Sequence, residues 1–159
     1  MLKVNFYGLN TIEDNKLLFA VIMAKFNGKW IYVRHKKRHT FEIPGGHRES
    51  NENIVDTASR ELFEETGAIE FNITPVCIYS VERDETVDYT ESFGALFYSE
   101  VKTLGKLPDF EISEIKLFDE IPKDLTYPLI QPILYKKVLE VINKVWFFVI
   151  LYKSKMLQS

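Results

Sequence analysis

Ten residues from Leu17 to Phe26 are apolar except for Lys25, and the run stops at Asn27-Gly28. A short apolar run closed by an Asn-Gly pair predicts a strand and a two-residue hairpin turn. Trp30 to Arg34 is then the partner strand, and Phe41 to Ile43 is a further short one. Ile73 to Glu82 and Phe93 to Val101 read as two more strands joined by a polar connection from Arg83 to Glu91. Ile115 to Phe118 reads as the last strand. Between these runs the spacing changes to that of a helix. With Glu61 set at 0°, Ala58, Leu62, Val55 and Thr66 fall between about 60° and 140° and form an apolar stripe. Pro128 and Pro132 suit the start of a second helix ending near Asn143. There is no internal repeat, linker or low-complexity segment, and the order of elements is mixed α/β.

The first helix carries the unusual chemistry. Asn53 is a suitable N-cap with Asp56 three residues later, and Gly67 suits a left-handed C-terminus. Glu65 and Glu64 fall near 40° and 300°, so with Glu61 they share one narrow sector within about one turn. Carboxylates this close raise one another's pKa unless a cation sits among them. Upstream, Pro44-Gly45-Gly46 reads as a break in regular structure that leaves backbone carbonyls free to face a cation. Hard oxygen donors suit Mg²⁺ or Mn²⁺ rather than zinc.

The run from Gly46 to Ala68 reads GHRESNENIVDTASRELFEETGA. It resembles the Nudix box, whose pattern is Gly, five residues, Glu, seven residues, Arg-Glu, an aliphatic, any residue, Glu-Glu, any residue, Gly, an aliphatic. Gly46, Glu52, Arg60-Glu61-Leu62, Glu64-Glu65 and Gly67 match it. Ala68 is smaller than the usual aliphatic, and Ile69 follows it. Phe41-Glu42-Ile43-Pro44-Gly45 also resembles the strand and turn that lead into the box.

The resemblance implies an α/β/α sandwich, of the α+β kind, with a mixed sheet between helices. It implies a metal-dependent pyrophosphohydrolase, with Glu61, Glu64, Glu65 and the Gly45 carbonyl as metal ligands. Glu61 or a later loop carboxylate, Glu111 or Glu114, would be the general base. Arg60 is too basic to be one and would hold Glu61 or Glu52 in place. Glu52 reads as an anchor for the helix. Gly28-Lys29-Trp30 and the box approach loosely resemble the branch that cleaves nucleoside triphosphates, oxidised guanine nucleotides included. Nucleotide sugars, ADP-ribose and RNA 5′ ends stay open as substrates. A catalytically silent nucleotide sensor is the other class, which the retained glutamates disfavour.

Arg34 to His39, RHKKRH, is the main basic cluster. Arg34, Lys36 and Arg38 are the candidates for substrate phosphates, with an ordinary solvated turn as the alternative; His35 and His39 read as loop residues. The chain has 159 residues, net charge −3 and one cysteine. That length suits a single domain over 1–144. The charge speaks against general nucleic-acid affinity. Lone Cys77 and an N-terminus without a signal peptide fit the cytoplasm. The expected partner is a small nucleotide, with no membrane and no stable nucleic acid.

The extension 145–159 opens with VWFFVILY, eight apolar or aromatic residues in a row. A membrane span needs about 20. Exposure of these side chains would need cover, from the chain's own domain or from a second subunit in a homodimer.

Overall fold

Both hairpin residues, Asn27 and Gly28, have positive φ, 51° and 77°. This is the backbone that a tight right-twisting hairpin demands. It joins β2, Leu17–Phe26, to β3, Lys29–His35, in a computed structural model that describes residues 1–84 and 89–156. The remaining elements are β1 Leu2–Tyr7, β4 Gly45–His47, α1 Ile54–Thr66, β5 Ala68–Phe71, β6 Thr74–Asp84, β7 Tyr89–Leu104, β8 Ile112–Phe118 and α2 Gln131–Met156. One sheet runs β1-β6-β7-β2-β3-β8, with β4 added to β2 and β5 to β7. The β2–β7 pair is parallel and the other pairs are antiparallel. The sheet is therefore mixed, as expected.

Strand alternation sends apolar side chains to two cores. Ala20, Ile22, Ala24, Ile31, Val33 and Phe97 pack on the side of α1 with Ile54, Ala58 and Leu62. Met23, Trp30, Tyr32 and Leu96 pack on the other side with Leu134 and Val138 of α2. Leu17 joins the α1 side although Met23 does not, because the β2–β7 register shifts between Leu17 and Phe19. A one-residue shift of this kind reverses the face a side chain takes.

Several elements differ from the sequence expectation. Strands β1 and β5 were not foreseen. Gly45–His47 is not a break but a short strand, paired Val21 to Gly45, Ala20 to Gly46 and Phe19 to His47. Phe41 and Glu42 make only single bridges, to Leu125 and Val33. Strand β6 reaches Asp84 and β7 begins at Tyr89, so the polar connection is shorter, and positions 85–88 lie outside the described residues. On α1, Ala58, Leu62 and Thr66 are buried, but Val55 is exposed. Helix α2 continues past Asn143 to Met156. Val145, Trp146, Phe147, Phe148 and Val149 on it are exposed, so this part of the tail does not pack on its own domain.

Candidate active site

Helix α1 is fixed at both ends. The Asn53 carboxamide oxygen accepts from the amides of Val55 and Asp56 at 3.0 and 2.9 Å. Gly67 is left-handed at φ 74°, and its amide donates to the Phe63 carbonyl at 2.8 Å. A Cβ at Gly67 would meet the Lys106 carbonyl oxygen at 2.8 Å, so glycine is required there for space as well as for backbone conformation. With its ends set and Leu62 fully buried, the helix has one rotational setting. That setting turns Glu61 and Glu65 toward β4.

Arg60 braces the polar face. Its Nε donates to Glu52 at 2.6 Å, and one terminal nitrogen donates to Glu61 at 2.7 Å and Glu64 at 3.1 Å. The other donates to the His47 carbonyl at 2.9 Å and to Glu52 at 3.1 Å. Arg60 thus holds both of its expected partners and Glu64 as well. Glu52 also accepts from the Glu49 amide and the Thr57 hydroxyl, so it ties the start of α1 to Arg60. The Arg60 guanidinium, helped by these donors, pulls the Glu52 carboxyl down to about 2. The Glu52 and Glu61 carboxylates push Arg60 further up, so it stays a cation.

Strand β4 supplies the other wall. The Ile22 amide bonds to Pro44 and the Arg48 amide to Leu18, which makes Gly45 a non-hydrogen-bonded partner of Val21. Its amide therefore points away from β2 and donates to Glu65 at 2.9 Å. At Gly46 a Cβ would lie 2.3 Å from a Glu61 carboxylate oxygen. Any side chain at Gly46 would displace Glu61. The need for glycine at position 46 is thus a matter of space over a carboxylate.

Glu61 is buried, and burial pushes its pKa up against the pull of Arg60. Glu65 has no arginine. Burial, with the charges of Glu61, Glu42 and Glu111, pushes it up to about 8 in spite of the Gly45 amide. Both line a cleft of about 710 Å³, which also takes in Arg38, Glu111, Phe19 and Tyr79.

A NUDIX domain family model matches residues 15–132. The chain belongs to the Nudix family. It is 32% identical over 106 residues to a curated relative named putative 8-oxo-dGTP diphosphatase YtkD, from Bacillus subtilis. The match spans 66% of this chain and 64% of that relative, a little under two thirds of the latter's length. The crystal structure of the Bacillus subtilis pyrophosphohydrolase BsRppH superposes with a TM-score of 0.71 at 25% identity, over 88% of this chain and 90% of that one. A NUDIX hydrolase from Nitrosomonas europaea shares the fold, with a TM-score of 0.61 at 23% identity over 79% and 90% of the two chains.

The Nudix cleft brings together some of the expected residues and leaves others out. Glu111 lines it, beside His35 at 3.7 Å. Glu114 does not; its carboxylate takes a 2.6 Å bond from Arg34, and the two neutralise each other on paired strands β8 and β3. Arg34, expected as a phosphate-binding candidate, is thus paired with Glu114 and lies outside the cleft lining. Lys36 is bound to Asp109 at 2.6 Å, away from the cleft lining. Arg38 does line it, held by Glu42 at 2.8 Å and by the Tyr127 hydroxyl at 3.3 Å. His35, taken for a loop residue, lies in the cleft, as do His47 and Gln131. Gln131 is 5% exposed and its carbonyl oxygen has no hydrogen-bond partner. Its position at the start of α2 was legible, but its place opposite the box was not.

Among the described residues, no three Asp, Glu, His or Cys side chains already converge as a metal cluster. Arg60 satisfies Glu61 and Glu64 instead. The donor set nonetheless fits a hard divalent cation: carboxylate oxygens crowd a cleft where burial leaves Glu65 short of positive charge.

Proposed function

We propose that the protein hydrolyses a diphosphate linkage in a nucleoside diphosphate derivative, and that its substrate is a nucleoside triphosphate cleaved to the monophosphate and pyrophosphate. The observation that carries this reading is the stacking of Glu61 and Glu65 against Gly45-Gly46 inside a cleft wide enough for a nucleotide. The name of the Bacillus subtilis diphosphatase supports the triphosphate branch, including oxidised guanine nucleotides.

Glu61, Glu64, Glu65 and the Gly45 carbonyl would hold Mg²⁺ or Mn²⁺. A divalent ion bound there offsets phosphate charge and makes a phosphoryl group a better electrophile. Glu61 or Glu111 takes the proton of the attacking water; Glu111, 78% exposed at its side chain, meets solvent most readily. Arg60 remains charged and keeps Glu52, Glu61 and Glu64 in register. Arg38 supports a phosphate from the opposite rim. Phe19, Tyr79 and Leu134 supply an apolar wall for the base, and the unpaired Gln131 oxygen accepts from its edge. Positioning and charge neutralisation supply most of the rate.

A panel of nucleoside triphosphates, 8-oxo-dGTP, ADP-ribose, a nucleotide sugar and 5′-triphosphate RNA, each with Mg²⁺, tests the reading. Pyrophosphate release from a triphosphate is the expected result. Release of orthophosphate alone moves the cut to another bond, and full turnover in excess chelator rules out the metal.

A further inference from the structure

Glu111 reaches the cleft through an irregularity in the sheet. Strands β3 and β8 pair Arg34 with Glu114, but the next pair is His35 with Ile112. Ser113 is the extra residue, a bulge on β8. Without it Glu111 would stand opposite Lys37. With it the Lys36 amide donates to the Glu111 carbonyl at 2.9 Å, and the Ser113 hydroxyl donates to the Arg34 carbonyl at 3.0 Å. The main chain of Glu111 is thereby fixed one place nearer His35. Its side chain is not fixed in this way: it is 78% exposed, and its charge acts on Glu65 across the cleft. Like charges favour rotamers that turn Glu111 out to water.

His35 opposes that turn. The Lys37 amide donates to its Nδ1 at 3.1 Å, and its carbonyl accepts from the Arg38 amide at 3.0 Å. A backbone amide can only donate, so Nδ1 offers its lone pair and the ring proton stands on Nε2. Nε2 is the atom that faces Glu111, 3.7 Å from a carboxylate oxygen. That gap is longer than a hydrogen bond, and catalytic contacts of this kind commonly tighten once substrate is bound. The neighbouring cations are committed elsewhere, Arg34 to Glu114 and Lys36 to Asp109, each at 2.6 Å.

We propose that His35 is the positioning residue for the general base: its Nε2–H holds the Glu111 carboxylate over the cleft, facing the attacking water. This rests on the reading of Glu111, rather than Glu61, as the base. The water's proton passes to the carboxylate as its O–H bond breaks and its oxygen bonds to phosphorus; His35 neither gains nor loses a proton. The Lys37 amide on Nδ1 suits the ring to that part, because a second proton there would break the bond.

The test is turnover of 8-oxo-dGTP with Mg²⁺ together with the imidazole spectrum. Glu111→Gln should lower kcat at least about 100-fold. His35→Leu should lower kcat about ten-fold and leave KM within about two-fold, because a displaced base costs rate rather than binding. His35→Gln puts an amide N–H at the same reach as Nε2 and should stay within about three-fold of the unaltered protein. His35→Leu/Glu111→Gln should be no slower than Glu111→Gln alone, since His35 acts only through that carboxylate. A ¹⁵N–¹H correlation, with His35 assigned by its loss in His35→Gln, should show a proton on Nε2 and none on Nδ1. The Nε2 signal should move in Glu111→Gln, a readout that needs no turnover. A proton on Nδ1, an unmoved Nε2 signal, an additive loss in the double variant, or a raised KM at unchanged kcat in His35→Leu overturns the inference. If Glu111→Gln keeps near-normal turnover, Glu111 is not the base and the role of His35 falls with it. If Glu111→Gln loses turnover and His35→Leu does not, the base stands and only the role of His35 falls.

Discussion

Helix α1 has 13 residues and helix α2 has 26, yet the shorter one is far more completely held. Every turn of α1 has a partner: Asn53 at its start, Gly67 at its end, Leu62 in the core and Arg60 across its acidic face. Its strain is electrostatic, concentrated in Glu61 and Glu65. Helix α2 is supported over its first half and bare over the described part of its second. Its unmet need is apolar. The comparison teaches that the two helices lack different things, positive charge beside Glu65 on one and apolar cover at Val145–Val149 on the other.

The sharpest way to break the comparison is Glu65→Gln. The amide keeps the shape and can still accept from the Gly45 amide, but loses the charge. We expect turnover to fall about 100-fold, the scale of losing one electrostatic contact to the reacting groups, with the melting temperature held or raised. Near-normal Mg²⁺-dependent turnover in the variant would remove Glu65 from the metal set. Next comes Arg60→Met. It strips Glu52, Glu61 and Glu64 of their shared donor, and should cost about 1.5–3 kcal/mol, read by urea denaturation. An unchanged midpoint would mean the acidic face needs no brace.

How much of this could be read beforehand differs between the helices too. Caps are local, so Asn53, Gly67 and the Asn27-Gly28 turn were legible from neighbours in the chain. The box fixed Glu61, Glu64 and Glu65 by spacing. What failed was long-range. Pairing of β4 with β2 turned an apparent break into a strand. Arg34 meets Glu114 across 80 residues, which no local pattern discloses. Gln131 enters the cleft only because α2 packs over the sheet. The length of α2 was cut short by reading Asn143-Lys144 as an end, when neither residue stops a helix.

A cation should also act on stability, with a defined pH sign. The Glu65 carboxyl, ordinarily 4.5, is pushed up to about 8 in the fold. Its contribution is therefore fully present below 4.5 and is lost as pH rises through about 8. A cation that takes over the carboxylate restores it. The rise in melting temperature on adding MgCl₂ should be small near pH 6 and larger near pH 9, because less proton competes at the ligand. A rise that shrinks with pH, or one that Glu65→Gln leaves intact, would place the ion elsewhere.

The smallest effect should come from α2's bare end. Phe148→Ser removes a larger side chain than Leu134→Ala, yet the ring is 68% exposed while Leu134 is 1% exposed. Phe148 meets the ring of Phe147 edge to face at 6.4 Å. The serine variant should change stability by about 0.5 kcal/mol or less, against about 2–5 kcal/mol for Leu134→Ala. Urea midpoints of the two proteins decide it. Equal losses would mean that α2 is covered along its whole length in solution, and the contrast between the helices would then close at its apolar end.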